Sequence, residues 1–205
     1  MEMNQEGPRH RRLYAIVDIE TTGGIVTDSG ITEVAIRLHN GLEIVDRYET
    51  LVNPERPIPP FIQGLTGIND EMVRDSPTFA DVAAEIHRYL EGNIFVAHNV
   101  GFDYSFLKYH LSLAGIEFSA PRLCTVKLSR KIKPGHKSYS LGKLCNDLNI
   151  TLNNRHRAAG DAEATAILFT RLLEWDSKGY TASQLRLPRS MQQPTENGQM
   201  VLFQA

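Results

Sequence analysis

The 205 residues carry 22 Lys and Arg against 24 Asp and Glu, a formal net charge of −2, with 41% hydrophobic and 22% charged residues. That balance excludes an intrinsically disordered chain and gives no global reason to expect a polyanionic partner. No apolar run approaches the roughly 18 residues of a membrane span, and two cysteines, Cys124 and Cys145, exclude a disulfide framework or a zinc site.

In chain order, Leu13 to Ile19 reads as a strand, apolar almost throughout and therefore central in a sheet. ITEVAIRL (31–38) and EIVDRYETLV (43–52) flank His39-Asn40-Gly41, and Asn-Gly between strand-like runs signals a hairpin. A link containing Pro54, Pro57, Pro59 and Pro60 leads into FIQGLTGINDEMV, read as short helical pieces. Ser76-Pro77 is expected to open a helix, with Pro77 at the first helical position. Phe79, Val82, Ala83, Ile86 and Leu90 form its apolar stripe, and Gly92 stops it. Ile94 to Ala97 is a short buried strand, Gly101 to Ala114 a helix, and Leu123 to Thr125 the last strand. Helices follow over Ser138 to Leu148 and Gly160 to Trp175.

A meander followed by alternating helices and strands implies an α/β fold. Its mixed five-stranded sheet would hold three antiparallel and two parallel strands, flanked by helices. The domain is expected over residues 11–177, between a flexible N-terminus of residues 1–10 and a polar tail from 178 to 205. The start, MEMNQEGPRHRR, lacks the apolar centre of a secretory signal, so a reducing, cytoplasmic setting is expected.

Three acid-x-acid pairs occur: Asp18/Glu20, Asp161/Glu163 and Glu174/Asp176. Roughly three would arise by chance from this composition, so context must separate them. Glu174/Asp176 sits at a helix end and Glu163 can face solvent. Asp18 and Glu20 end a strand, where a period of two puts both on one face. Two like charges there call for a neutraliser, and a divalent cation is the natural one; the plainer reading is a solvated strand end. FVAHNVGFDYSFL places Asp103 in the first turn of a helix, and RHRAAGDAEATAIL does the same for Asp161, with His156 on the entry loop. Each alone is an ordinary acid at a helix start. In open α/β sheets, however, helix starts lie at the carboxyl ends of strands, so Asp103 should approach Asp18 and Glu20, and Asp161 can join them.

These residues carry a resemblance. D-x-E before Thr21 and Thr22, N-x-x-x-D at Asn99 and Asp103, and H-x-A-x-x-D at His156, Ala158 and Asp161 occur in order. The pattern resembles the DEDDh branch of the DnaQ-like 3′→5′ exonucleases, which includes the proofreading epsilon subunit, oligoribonuclease and ribonuclease T. The resemblance implies an RNase H-like fold and hydrolysis of phosphodiesters from a 3′ end to nucleoside 5′-monophosphates, in proofreading or repair of DNA. An exoribonuclease and a non-catalytic binding module on the same fold stand as alternatives. It implies two divalent ions, Mg²⁺ or Mn²⁺, with Asp18 bridging them, Glu20 and Asp161 completing one site and Asp103 supporting the other. His156 becomes the candidate general base.

By the same resemblance Thr21 and Thr22 lie against the terminal nucleotide, and Leu65 of GLTGI wedges beside the terminal bases. Phe102 and Phe106 flank Asp103; one is a candidate to stack on a base, with core packing assigned to at least one. Asn99 is a candidate backbone contact, and His98 a hydrogen-bonded structural residue. Between Pro121 and Ser140 there are six basic residues and no acid, a run that could follow a strand's phosphates. Finally, QMVLF (Gln199 to Phe203) fits the loose Q-x-x-L-F pattern of peptides that dock on sliding clamps. VLFQ equally resembles a viral-protease recognition remnant, and truncation of a longer protein is a third reading.

Overall fold

The computed structural model describes residues 12–185. Its sheet has the order β3-β2-β1-β4-β5, formed by β1 (Tyr14–Thr21), β2 (Ile31–His39), β3 (Ile44–Leu51), β4 (Ile94–Ala97) and β5 (Arg122–Cys124). β1, β2 and β3 pair antiparallel, while β1–β4 and β4–β5 pair parallel, the mixed sheet expected.

Why β1 is apolar on both faces is now plain. Ala15, Val17 and Ile19 pack toward α3 (Phe79–Leu90) and α4 (Gly101–Leu113). Tyr14 and Ile16 belong to the opposite cluster, with Leu168, Phe169 and Leu172 of α7 (Ala158–Trp175). Asp18 and Glu20 continue the second row, so the period of two delivers both carboxylates to the face that α7 covers.

Beyond the hairpin, α1 (Pro60–Thr66) and α2 (Asp70–Val73) fill the proline-rich connection, and α5 (Thr125–Ile132) and α6 (Leu141–Asp147) precede α7. Several boundaries differ from expectation. α3 starts at Phe79, not Pro77, because Thr78 and Asp81 form a reciprocal capping box around the new start. α5 went unread because its basic residues mask a short apolar face built on the buried Leu128. The tail expected from residue 178 instead opens with α8 (Tyr180–Gln184). Asp176 accepts the amides of Tyr180 and Thr181 at 2.8 and 2.7 Å, and Gln184 Oε1 accepts the Cys124 amide at 2.6 Å. No helix among the described residues is long and apolar enough to cross a membrane.

The face of β2 toward α7 is unusual, since its alternate residues Glu33, Arg37 and His39 are polar yet buried. Each meets a partner on or just before α7. Glu33 holds Arg157 and the Ala158 amide, Arg37 Nε donates to Glu163 at 3.0 Å, and His39 Nε2 meets Thr170 Oγ1 at 2.8 Å. Between them Ala35 packs on Ala158 and Ala162, small side chains that let helix and sheet approach closely. This ladder fixes where α7 begins relative to the end of β1.

Candidate active site

At that end of the sheet the expected carboxylates converge. Asp103, buried in the first turn of α4, reaches the backbone of Ile19 between Asp18 and Glu20. Asp161, in the first turn of α7, is buried beside them. Glu20, His156 and Asp161 have ligand atoms within 4.8 Å of one another.

The cluster is electrostatically unfavourable without a cation. Burial first, then the charges of Asp103, Asp161, Glu20 and Glu33, hold the Asp18 carboxyl well above the usual carboxylate range. Glu20 is pushed up to about 8 by burial and then by Asp161, Glu33 and Asp103, with Arg157 opposing. Burial pushes Asp103 up to about 7 against two backbone hydrogen bonds, and it also raises Asp161.

Those pressures fit a divalent ion. Asp161 Oδ2 accepts the His156 amide at 3.0 Å, whereas its buried Oδ1 has no hydrogen-bond partner in the structure. An orphaned carboxylate oxygen facing other carboxylates and an imidazole is a donor set suited to a hard cation. Protein cations do not neutralise the cluster: Arg157 is committed to Glu33, and the Arg155 charge lowers Asp161 without overcoming its burial.

Glu33 is the residue that sequence reasoning missed. It lies opposite Glu20 across the β1–β2 pair, a like-charge juxtaposition that is destabilising by itself. Its carboxylate accepts Arg157 Nη2 at 2.8 Å, Arg157 Nε at 3.2 Å and the Ala158 amide at 2.7 Å. The available signal was a glutamate on the apolar strand ITEVAIRL, two residues from Ala35.

The His156 loop is held tightly. His156 and Asn154 adopt left-handed conformations, φ 61° and 50°, which cost free energy in any residue with a Cβ. A methyl on Gly160 would lie 2.1 Å from Asn153 O and 2.9 Å from Asn154 O. Only glycine lets the loop fold back over the first turn of α7.

The expected substrate contacts divide. Thr21 and Thr22 are buried at the end of β1; Thr21 donates to Gly23 O at 2.7 Å, and Thr22 Oγ1 accepts the Gly30 amide at 3.0 Å. Both hydroxyls therefore also brace the following loop. Leu65 is exposed on α1, one turn from the still more exposed Phe61. Asn99 is exposed with φ 77° at the turn into α4. Phe106 is a correction: it is fully buried, packed between Phe102 and His110, and cannot reach a base. Phe102 is half-buried, with its ring centroid 4.8 Å from that of Phe106. His98 is structural, its ring nitrogens meeting Thr125 Oγ1 at 2.9 Å and Tyr139 O at 2.8 Å. The Gln199–Phe203 peptide lies outside the described residues.

An RNase H-like sheet with a carboxylate–histidine cluster at the end of its central strand defines a class of nucleases. A family model described as Exonuclease (RNase_T) matches residues 15–169, and the chain belongs to this exonuclease family. It is 39% identical over 168 residues to the 3′-5′ exonuclease DinG of Bacillus subtilis (strain 168), covering 80% of this chain and 18% of that protein. It is 38% identical over 172 residues to the DNA polymerase III PolC-type of the same organism, covering 80% and 12%. The chain thus spans less than a fifth of these relatives. A solved structure of Exonuclease X in complex with 5′ overhanging duplex DNA aligns with TM-score 0.67 and 32% identity, covering 84% of this chain and 96% of that one.

Proposed function

We propose that this protein is a metal-dependent 3′→5′ exonuclease that hydrolyses phosphodiester bonds at the 3′ end of DNA and releases nucleoside 5′-monophosphates. The observation that carries this reading is the cluster of buried Asp103 and Asp161 with the half-buried Asp18 and Glu20, with raised carboxyl pKa values and an unpartnered Asp161 oxygen beside His156. Exclusively protein-paired carboxylates would not leave that oxygen orphaned. Similarity to DNA-directed relatives, and to an exonuclease solved on DNA, favours DNA over RNA. A pure binding module gains nothing from clustered negative charge facing phosphates.

Asp18, Glu20, Asp103 and Asp161 would hold two divalent ions, Mg²⁺ or Mn²⁺. Such ions neutralise the carboxylates, assist ionisation of the attacking water and stabilise the departing 3′-oxygen. The chain's own contribution is positional and acid–base. His156 accepts the proton of the water; its amide, fixed on Asp161 Oδ2, keeps the ring beside the cluster. Thr21, Thr22 and Asn99 border the site where the terminal nucleotide would lie, and Leu65 flanks it as a wedge. The Gln199–Phe203 peptide is retained as a proposed clamp contact, tested by loss of clamp binding in Leu202→Ala with Phe203→Ala.

The test is a single gel with 5′- and 3′-labelled DNA and RNA oligonucleotides, with and without Mg²⁺ or Mn²⁺. Stepwise shortening from the 3′ end that needs the ion and disappears in Asp18→Ala is the expected outcome. Ion-independent cleavage, or equal cleavage by Asp18→Ala, would overturn the proposal.

A further inference from the structure

The basic run from Pro121 to Ser140 does not form one stripe in the fold. Arg122 stacks on Tyr104, 4.4 Å from its centroid, and Lys133 lies 4.2 Å from the Trp175 ring centroid. Only Arg130 and Lys137 line the concavity that begins at His98 and Asn99, of about 490 Å³. A second concavity of about 700 Å³ shares Lys137 and Ser138 with it and continues past Lys143 to Arg155. The two flank a ridge, residues 137–140, that His98 anchors through Tyr139 O. The path starts at the Asn99 turn and ends one residue from His156.

We infer that this path of Arg130, Lys137, Lys143 and Arg155 binds the phosphate backbone of a single-stranded nucleic acid, deepening the exonuclease reading on which it rests. Three observations carry it. Lys137, Lys143 and Arg155 form no ion pair among the described residues; the Arg155 charge also reaches Asp161, tying the end of the path to the carboxylate cluster. Asp147, the sole acid lining either concavity, is engaged by His136 at 2.9 Å. Arg155 is seated by design of the backbone: its guanidinium lies on Gly142, where a methyl would stand 3.0 to 3.2 Å from it.

The ligand is a single strand because its phosphates must dip into two concavities around a ridge. Duplex DNA, with a persistence length of about 150 base pairs, does not bend over so short a distance without a large elastic cost. Recognition is of phosphate rather than base, since Tyr139, the aromatic residue on the ridge, is half-buried and already contacted by Arg130 and His136. The path is therefore tolerant of sequence. It also offsets the repulsion that the carboxylate cluster exerts on an approaching polyanion.

The experiment measures anisotropy of a labelled dT12 on full-length Asp18→Ala protein, in which cleavage is blocked, across a salt series. A single-stranded contact contributes about 0.7 to the slope of log K against log salt. Lys137→Ala with Lys143→Ala should therefore lower the slope by about 1.4 and weaken binding about tenfold or more at low salt. Arg155→Ala, which removes the cation at the end of the path, should lower the slope by about 0.7. Lys127→Ala with Lys131→Ala, exposed on α5 but outside the path, should leave the slope unchanged. Equal loss in that control pair, an unchanged slope in the path variants, or equally strong competition by blunt duplex would overturn the inference. If dT12 binds with the predicted slopes but the wild-type protein with Mg²⁺ or Mn²⁺ never shortens it, the exonuclease reading fails and the path stands. If it is shortened and the slopes do not move, the path fails alone.

Discussion

Glu33 Oε2 accepts the amide of Ala158, the first residue of α7, at 2.7 Å. A side chain from the second strand thereby caps a helix that starts 125 residues later, and the same carboxylate holds Arg157 at 2.8 Å. What this relationship positions is the loop between: His156 and Asp161 are fixed to each other and, through Glu33, to the strand that pairs with Asp18 and Glu20.

Glu33→Ala should accordingly damage the site more than the fold. Loss of a cap costs about 1 kcal/mol, and Arg157, about a third exposed, can recover water. The melting temperature should fall by a few degrees. Mn²⁺ affinity, read by isothermal titration, should fall about 10- to 100-fold, as for residues that orient metal ligands. Glu33→Gln retains one acceptor and should lie between. Wild-type Mn²⁺ affinity in Glu33→Ala would dispose of the positioning role.

Gly160→Ala tests the same loop from the other side. Within a helix the change normally stabilises by up to about 1 kcal/mol. Here the new methyl would meet Asn153 O at 2.1 Å and force the backbone that carries His156 to move. Circular-dichroism melts should show a lower melting temperature, and cleavage of a 3′ end should slow by at least tenfold. A more stable, fully active variant would mean that the loop yields freely.

These devices explain what could be read from sequence. The sheet and the main helices follow local signals: the continuous apolar run that opens YAIVDI, Asn40-Gly41 between strands, apolar stripes in the helices. The acid pair Asp18/Glu20 was visible, yet no rarer than chance, and gained meaning only from ordered motifs elsewhere. Glu33, Arg37 and His39 were illegible because an alternating polar row on a strand reads as a solvent face. Their partners are on α7, more than 120 residues away. Phe106 misled for a related reason: it lies one turn from Asp103 on nearly the same helix face, and that face packs inward, so only Asp103 at the helix start reaches the site. α5 lacked a cap signal and carried too few apolar residues to show a period.

His156→Asn separates strain from chemistry. Asparagine tolerates the left-handed conformation better than histidine, so φ 61° at this position should be at least as well satisfied. The backbone hydrogen bond to Asp161 is retained. Melting temperature should therefore hold or rise, while the rate of cleavage falls about 10²- to 10⁴-fold with loss of the base. Near-normal turnover in His156→Asn would exclude the ring as the proton acceptor.

The carboxylate cluster makes stability depend on pH with a definite sign. Folded Glu20, raised from 4.5 to about 8, and Asp103, raised from 3.8 to about 7, bind more protons than their unfolded counterparts between those values. Stability falls with pH wherever the native state holds more protons. The contribution is fully present below about pH 4 and lost as pH rises through 7 to 8. Without divalent ions, the melting temperature should fall from pH 5.5 to 8.5. Asp18→Asn, which removes one repelling charge, should flatten the decline and raise the melting temperature at the alkaline end. Divalent ions bind the deprotonated carboxylates, so Mn²⁺ should protect most where the ion-free protein is weakest. At 100 times its dissociation constant it adds about 2.7 kcal/mol, worth roughly 5–10 °C for a domain of this size. Scanning fluorimetry across pH, with EDTA or Mn²⁺, decides the matter. A metal-free protein that gains stability toward pH 8.5 would mean the carboxylates are already neutralised from within the chain.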